Sequence, residues 1–84
     1  MADFPVVALE QFAAVLRGRR VENGLTQKQV GSRVGLLPKT VSALESNPGR
    51  SSVTSLFKLL SALDVELVLK PKEKPGPSRA DPDW

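Results

Sequence analysis

Two short amphipathic segments flank a glycine within residues 26–45, and this stretch constrains the fold more than any other. Gly35 separates the segments, and a second small residue, Gly31, lies four positions before it. A glycine between the segments accepts the positive φ of a tight turn, and a residue without a side chain at 31 lets two helices cross closely. The spacing predicts a helix, a tight turn and a second helix that is free to enter a DNA major groove.

The short length of the chain limits it to one small domain, whose core must come from packed helices or from a second subunit. The 84 residues include no cysteine and no histidine, which excludes disulfides, cysteine-based metal sites and the commonest general base. No apolar run approaches the ~20 residues that span a membrane, and no basic region precedes an apolar stretch at the N-terminus. We therefore expect a cytoplasmic protein without cofactor, metal or membrane association.

The charge of the chain is mildly basic, with 12 lysines and arginines against 9 acidic residues and a net charge of +3. Residues 71–84 carry as many basic as acidic side chains, so the whole excess lies in residues 1–70. A basic globular part suits a polyanionic partner, although ordinary solubility explains the same balance.

Apolar periodicity predicts four helices within residues 8–63. Thr26 is a good N-cap for the second helix, and Gln29 completes a capping-box pattern. Pro38 suits the first turn of the third helix because its missing N–H needs no partner there. The residues predicted to face the core are Leu9, Phe12, Ala13, Leu16, Val30, Val34, Val41, Leu44, Val53, Leu56, Phe57, Leu60 and Leu63.

The spacing of apolar residues changes from a helical repeat to an alternating one at residues 65–69, where valine and leucine predict the one strand of the chain. A lone strand has unmet backbone groups, so its most economical partner is the same strand of a second copy about a two-fold axis. The alternative is that the fourth helix simply continues. The residues assigned to the dimer contact are Val65, Leu67, Val68 and Leu69.

The chain thus divides into an N-terminal arm at residues 1–7, a helix-turn-helix and dimerisation domain at 8–70, and a C-terminal tail at 71–84. The tail holds four of the seven prolines, and its one large apolar residue is Trp84. Such a segment cannot bury enough surface to offset its ordering entropy, so we expect it to be disordered when free. Trp84 is then either a passive residue or an anchor that docks in a partner pocket.

The polar face of the motif offers candidates for DNA contact. Gln27 stands at the N-terminus of the second helix, where outward amides form a phosphate site, and its alternative is a solvated glutamine. Lys39 in the third helix can reach guanine O6 and N7, or a phosphate instead. We expect Glu45, which would repel phosphate, to pair within the fold, and Arg20 only to solvate the first helix. The candidate DNA-binding residues are Thr26, Gln27, Lys28, Arg33, Pro38, Lys39, Thr40, Ser42 and Ser46.

These residues resemble two related groups of proteins. Over about residues 8–63 the chain is similar to the Cro/phage-repressor (XRE) type of helix-turn-helix, and over nearly its whole length it resembles the HipB antitoxins. The resemblance implies a mainly α fold of four to five helices with one short C-terminal β-strand that pairs across a homodimer. The motifs that carry it are Thr26-Gln27, Gly31, Gly35, Val41-Ser42, Asn23-Gly24, Glu45-Ser46-Asn47-Pro48, the segments 51–60 and 65–69, and the tail with Trp84.

The HipB resemblance also implies a function. It implies a dimeric, sequence-specific DNA-binding antitoxin that neutralises a HipA-type serine/threonine kinase toxin and represses their operon at a palindromic operator. The alternatives are a stand-alone, phage-like transcriptional regulator without a toxin partner, and an adaptor whose motif has lost DNA binding. An enzyme is the least favoured class, because the sequence has no glycine-rich phosphate loop and no convergent carboxylate pair.

Overall fold

The computed structural model describes residues 5–72, which form four α-helices and one short 3-10 turn. A mainly helical fold is therefore confirmed. α2 packs against α3 and α4, and α3 also packs against α1. No helix in this described part is both long and apolar enough to cross a membrane. The elements are α1 (Leu9–Glu22), α2 (Gln27–Val34), α3 (Pro38–Ser46), the 3-10 turn (Pro48–Arg50) and α4 (Val53–Ala62).

Local side-chain and backbone contacts fix both ends of α2. At its start the Thr26 hydroxyl oxygen accepts the Gln29 N–H at 3.0 Å, and the Gln29 Oε1 accepts the Thr26 N–H at 2.8 Å. At its end Gly35 adopts the left-handed conformation with φ 74°. The N–H of Gly35 and that of Leu36 both donate to the carbonyl oxygen of Gly31. The predicted capping box and the predicted tight turn are therefore both confirmed.

Gly31, in α2, lies against the backbone of Leu36 in the turn and against the side chain of Val41 on α3. A Cβ at this position would overlap the carbonyl oxygen of Leu36 and would lie 3.3 Å from Val41 Cγ2. The overlap with backbone cannot be relieved by rotating a side chain. The close approach of α2 and α3 therefore depends on the missing side chain, as the sequence pattern predicts.

The core is formed by apolar side chains from all four helices, and of the residues expected from the fourth helix Leu60 and Leu63 are buried and Leu56 packs against the core. The predictions for Val53 and Phe57 were wrong, because these side chains are 68% and 51% exposed. Leu9, at the start of α1, is also exposed. Since α4 is apolar around most of its circumference, periodicity alone does not select the face that packs. The buried residues are Ala13, Leu16, Val30, Val41, Leu44, Leu59, Leu60, Ala62 and Leu63.

Residues 65–70 form neither helix nor strand in the single chain. α4 ends at Ala62, and Asp64 takes a positive φ of 57°, which excludes the alternative that α4 continues through this segment. The predicted strand is not observed here, since one chain has no second strand to complete the ladder. The proposed pairing across a dimer therefore stays a prediction. The arm before residue 5 and the tail after residue 72, with Trp84, lie outside the described residues.

Replacing Gly31 by alanine is expected to lower the free energy of unfolding by about 1–3 kcal/mol, because the new methyl group overlaps backbone. The matched control is Gly18→Ala inside α1, where a Cβ meets nothing within 4 Å. That control should raise the free energy of unfolding by about 0.5–1 kcal/mol through helix propensity. Urea denaturation followed by circular dichroism measures both, and equal effects would contradict the close-approach explanation.

Candidate nucleic-acid interface

The α2–α3 unit carries most of the predicted DNA-contact residues. Lys28 on α2 and Lys39 on α3 are exposed, and neither has a hydrogen-bond or ion-pair partner within residues 5–72. Pro38 is exposed as well, whereas Thr40 and Ser42 are half-buried. Because the first N–H groups of an α-helix lack intrahelical acceptors, the start of α2 adds amide donors to this positive charge. The unit can therefore offer donors and cations to a polyanion.

Two of the candidate DNA-binding residues donate hydrogen bonds to backbone carbonyl oxygens within the fold. Arg33 Nη1 donates to the carbonyl oxygen of Ala62 at 3.1 Å, at the C-terminus of α4, where a cation is favoured by the helix dipole. The Ser46 hydroxyl donates to the carbonyl oxygen of Ser42 at 2.8 Å. Since a hydroxyl has one proton, Ser46 has none left for a phosphate in this conformation. These contacts direct the Arg33 guanidinium to the end of α4 and the Ser46 hydroxyl to the backbone of its own helix.

A bidentate ion pair joins α1 to α3. Arg20 Nε donates to Glu45 Oε2 at 2.6 Å and Arg20 Nη2 donates to Glu45 Oε1 at 3.0 Å. Arg20 Nη1 also donates to the carbonyl oxygen of Leu25 at 2.8 Å. The side chains of Arg20 and Glu45 are only 12% and 4% exposed. The hydrogen bonds that Arg20 donates to Glu45 raise the pKa of Arg20 despite the opposing effect of burial. The expected pairing of Glu45 within the fold is confirmed, but the expectation that Arg20 only solvates α1 was wrong.

Gln27 joins this pair through its side-chain amide. Gln27 Nε2 donates to Glu45 Oε1 at 3.2 Å, so the first residue of α2 is tied to the last turn of α3. An ionised carboxylate only accepts hydrogen bonds, which means that the nitrogen and not the oxygen of the amide must face it. We refer to Arg20, Glu45 and Gln27 as the Arg–Glu–Gln network.

The spacing of Arg20 and Glu45 relative to buried residues was a signal for the ion pair, and the sequence-based prediction for Arg20 missed it. Arg20 follows the buried Leu16 by four positions, and Glu45 follows the buried Val41 by four positions. Residues four apart share one face of a helix. A charged residue therefore stood on the inward face of each helix, and buried charges are found in pairs.

Comparison with known proteins agrees with this geometry. Residues 16–69 match the helix-turn-helix family, which is the class that the α2–turn–α3 unit defines. The antitoxin HipB of Escherichia coli O6:H1 strain CFT073 is 31% identical over 71 residues, which are 84% of this chain and 76% of that protein. The antitoxin HipB of Escherichia coli K12 is 28% identical over 71 residues, which are 84% of this chain and 81% of that protein.

Solved structures of HipB superpose well on the chain. One is a HipA–HipB–O2–O3 complex, with a TM-score of 0.80, 28% identity and coverage of 82% of this chain and 97% of the other. Another is a HipB–O4 20mer complex, with a TM-score of 0.79 and the same identity and coverage. The chain belongs to the helix-turn-helix family and, within it, to the HipB antitoxins.

Removing one member of the ion pair is expected to destabilise the fold strongly. Glu45→Ala should lower the free energy of unfolding by about 3 kcal/mol, because it leaves the Arg20 guanidinium buried without its carboxylate. The double variant Arg20→Met with Glu45→Leu should regain most of that loss, since no buried charge remains. Urea denaturation of the two variants measures the difference. A double variant as unstable as Glu45→Ala would mean that packing, and not the unpaired charge, sets the loss.

Proposed function

We propose that the protein is a DNA-binding antitoxin that represses its own operon and neutralises a HipA-type serine/threonine kinase toxin in the cytoplasm, without an enzymatic activity of its own. The observation that carries this proposal is the helix-turn-helix geometry, in which α3 begins with the exposed residues Pro38 and Lys39. Two findings on relatives support it: HipB has been solved with HipA, O2 and O3, and with an O4 20mer.

The proposed DNA surface combines the first turns of α2 and α3. Gln27 and the amides of α2 address backbone phosphate, and Lys28 adds a positive charge beside them. Lys39 reads a guanine edge from the first turn of α3, with Pro38 against a thymine methyl group. Arg33 is left out because its Nη1 is directed to the C-terminus of α4, and Ser46 because its one hydroxyl proton has a partner within α3. The surface consists of Thr26, Gln27, Lys28, Pro38, Lys39, Thr40 and Ser42.

The proposed operator is palindromic because the proposed protein is a homodimer. Residues 67–69 expose three apolar side chains, of which Val68 is 67% and Leu69 is 86% exposed in the single chain. Pairing of the 65–69 segments about a two-fold axis would cover these side chains and satisfy the backbone groups. The two copies of α3 would then address half-sites about one helical turn apart, on the order of 34 Å.

Lys39→Ala is expected to weaken binding to a duplex selected from a random library by about 1–3 kcal/mol and to relax the preference at one base step. The matched control is Lys58→Ala, which removes another exposed lysine, on α4. Fluorescence anisotropy with the selected duplex and its single-base variants measures both effects. A uniform loss across all duplexes would assign Lys39 to phosphate, and no loss would remove Lys39 from the surface.

The toxin contact is proposed to include Trp84, whose large apolar side chain would fill a pocket on the kinase. The full chain, expressed with an affinity tag in its native cell, should therefore retain a HipA-type kinase, and a chain that ends at Lys70 should lose it. Mass spectrometry identifies the retained proteins. Retention by both forms would place the contact on the folded domain, whereas retention of specific DNA without any protein would favour a stand-alone regulator.

A further inference from the structure

We infer that Glu45 is a positioning residue for DNA binding, which holds the Gln27 amide so that its second N–H is presented to a phosphate. The inference rests on the proposed function, because it concerns how the proposed surface is organised. A carboxylate is not an obvious contributor to the binding of a polyanion, since a free negative charge repels phosphates. Three features of the Arg–Glu–Gln network remove that objection.

The first feature is charge compensation. Both oxygens of Glu45 accept from Arg20, at 2.6 and 3.0 Å, and the Glu45 side chain is only 4% exposed. The bidentate pair is charge-assisted and fixed in direction by the planar guanidinium. The carboxylate is therefore neutralised within the fold, and it retains hydrogen-bond acceptor capacity without presenting a free charge to DNA.

The second feature is the fixed orientation of the Gln27 amide. Its Nε2 donates to Glu45 Oε1 at 3.2 Å, and an amide turned the other way would set two acceptor oxygens against each other. Nε2 has two N–H groups that diverge within the amide plane, so the one that points at Glu45 leaves the other directed away from it. A side chain held in this way loses little rotational freedom when it binds.

The third feature is the place of Gln27 in the fold. It is the first residue of α2, directly after the Thr26 cap, where backbone amides have no intrahelical acceptor. A phosphate bound by these amides lies beside the Gln27 side chain. The held N–H therefore adds a donor of fixed direction to a site that already favours an anion.

The inference is tested by whether one charge-neutralising substitution weakens or strengthens DNA binding. Full-length Glu45→Met, which removes both acceptor oxygens at a similar side-chain length, should bind a short random-sequence duplex about three- to tenfold more weakly, which is the worth of one hydrogen bond. The matched control Glu10→Met removes one negative charge from an exposed position on α1 and should leave binding unchanged or slightly tighter. The double variant with Gln27→Ala should bind no more weakly than Gln27→Ala alone. Fluorescence anisotropy at several salt concentrations gives the affinities, and circular dichroism verifies that each variant is folded.

The outcomes separate this inference from the function on which it rests. A folded Glu45→Met variant that binds as tightly as the wild type, or penalties that add in the double variant, would overturn the positioning role alone. A wild-type protein without salt-dependent duplex binding would overturn the proposed function, and this inference with it.

A measurement on the wild-type protein covers the case in which Glu45→Met does not fold. The side-chain amide signals of Gln27 in a nitrogen–proton correlation spectrum are assigned by their loss in Gln27→Ala. One Nε2 proton should be protected from solvent exchange in the free protein, and the other should shift when the random-sequence duplex is added. Free exchange of both protons, or no shift with DNA, would overturn the inference.

Discussion

The ion pair between Arg20 and Glu45 is the interaction on which the arrangement of the first three helices depends. Arg20 contacts the last turn of α3 and the carbonyl oxygen of Leu25 in the turn before α2. Glu45 in turn accepts the amide of Gln27 at the start of α2. One buried guanidinium and one buried carboxylate thus fix three segments relative to each other. Such a pair adds little stability over apolar packing, but its hydrogen bonds are directional.

The turn between α2 and α3 works together with this pair. Gly35 closes α2 in the left-handed conformation, and Gly31 lets the Leu36 backbone approach α2 closely. Val41 and Leu44 then bury one side of α3, which leaves Pro38 and Lys39 exposed. The surface proposed for DNA is therefore a consequence of the core, because the side chains that pack determine which ones remain free.

Apolar side chains that stay exposed outside the core favour association with a second copy of the chain. Phe57 on α4 is 51% exposed, and the segment after α4 exposes Leu67, Val68 and Leu69. A chain of this size gains much of its stability from any further apolar burial, so a second copy is a favourable way to cover the segment. The same reasoning explains why residues 65–70 adopt no regular structure alone: their predicted alternation needs a neighbouring strand, which a single chain does not supply.

The helices and the turn between α2 and α3 can be predicted from the sequence, because these depend on neighbouring residues. Thr26 with Gln29 starts α2, Gly35 ends it, and Pro38 begins α3. Three further features depend on how the helices pack: the buried face of α4, the pairing of Arg20 with Glu45, and the contact of Gln27 with that pair. The physical reason is distance along the chain: Arg20 and Glu45 are 25 residues apart, and their contact exists only when α1 and α3 are packed. Local patterns specify elements, whereas the orientation of a functional side chain depends on residues brought together by the fold.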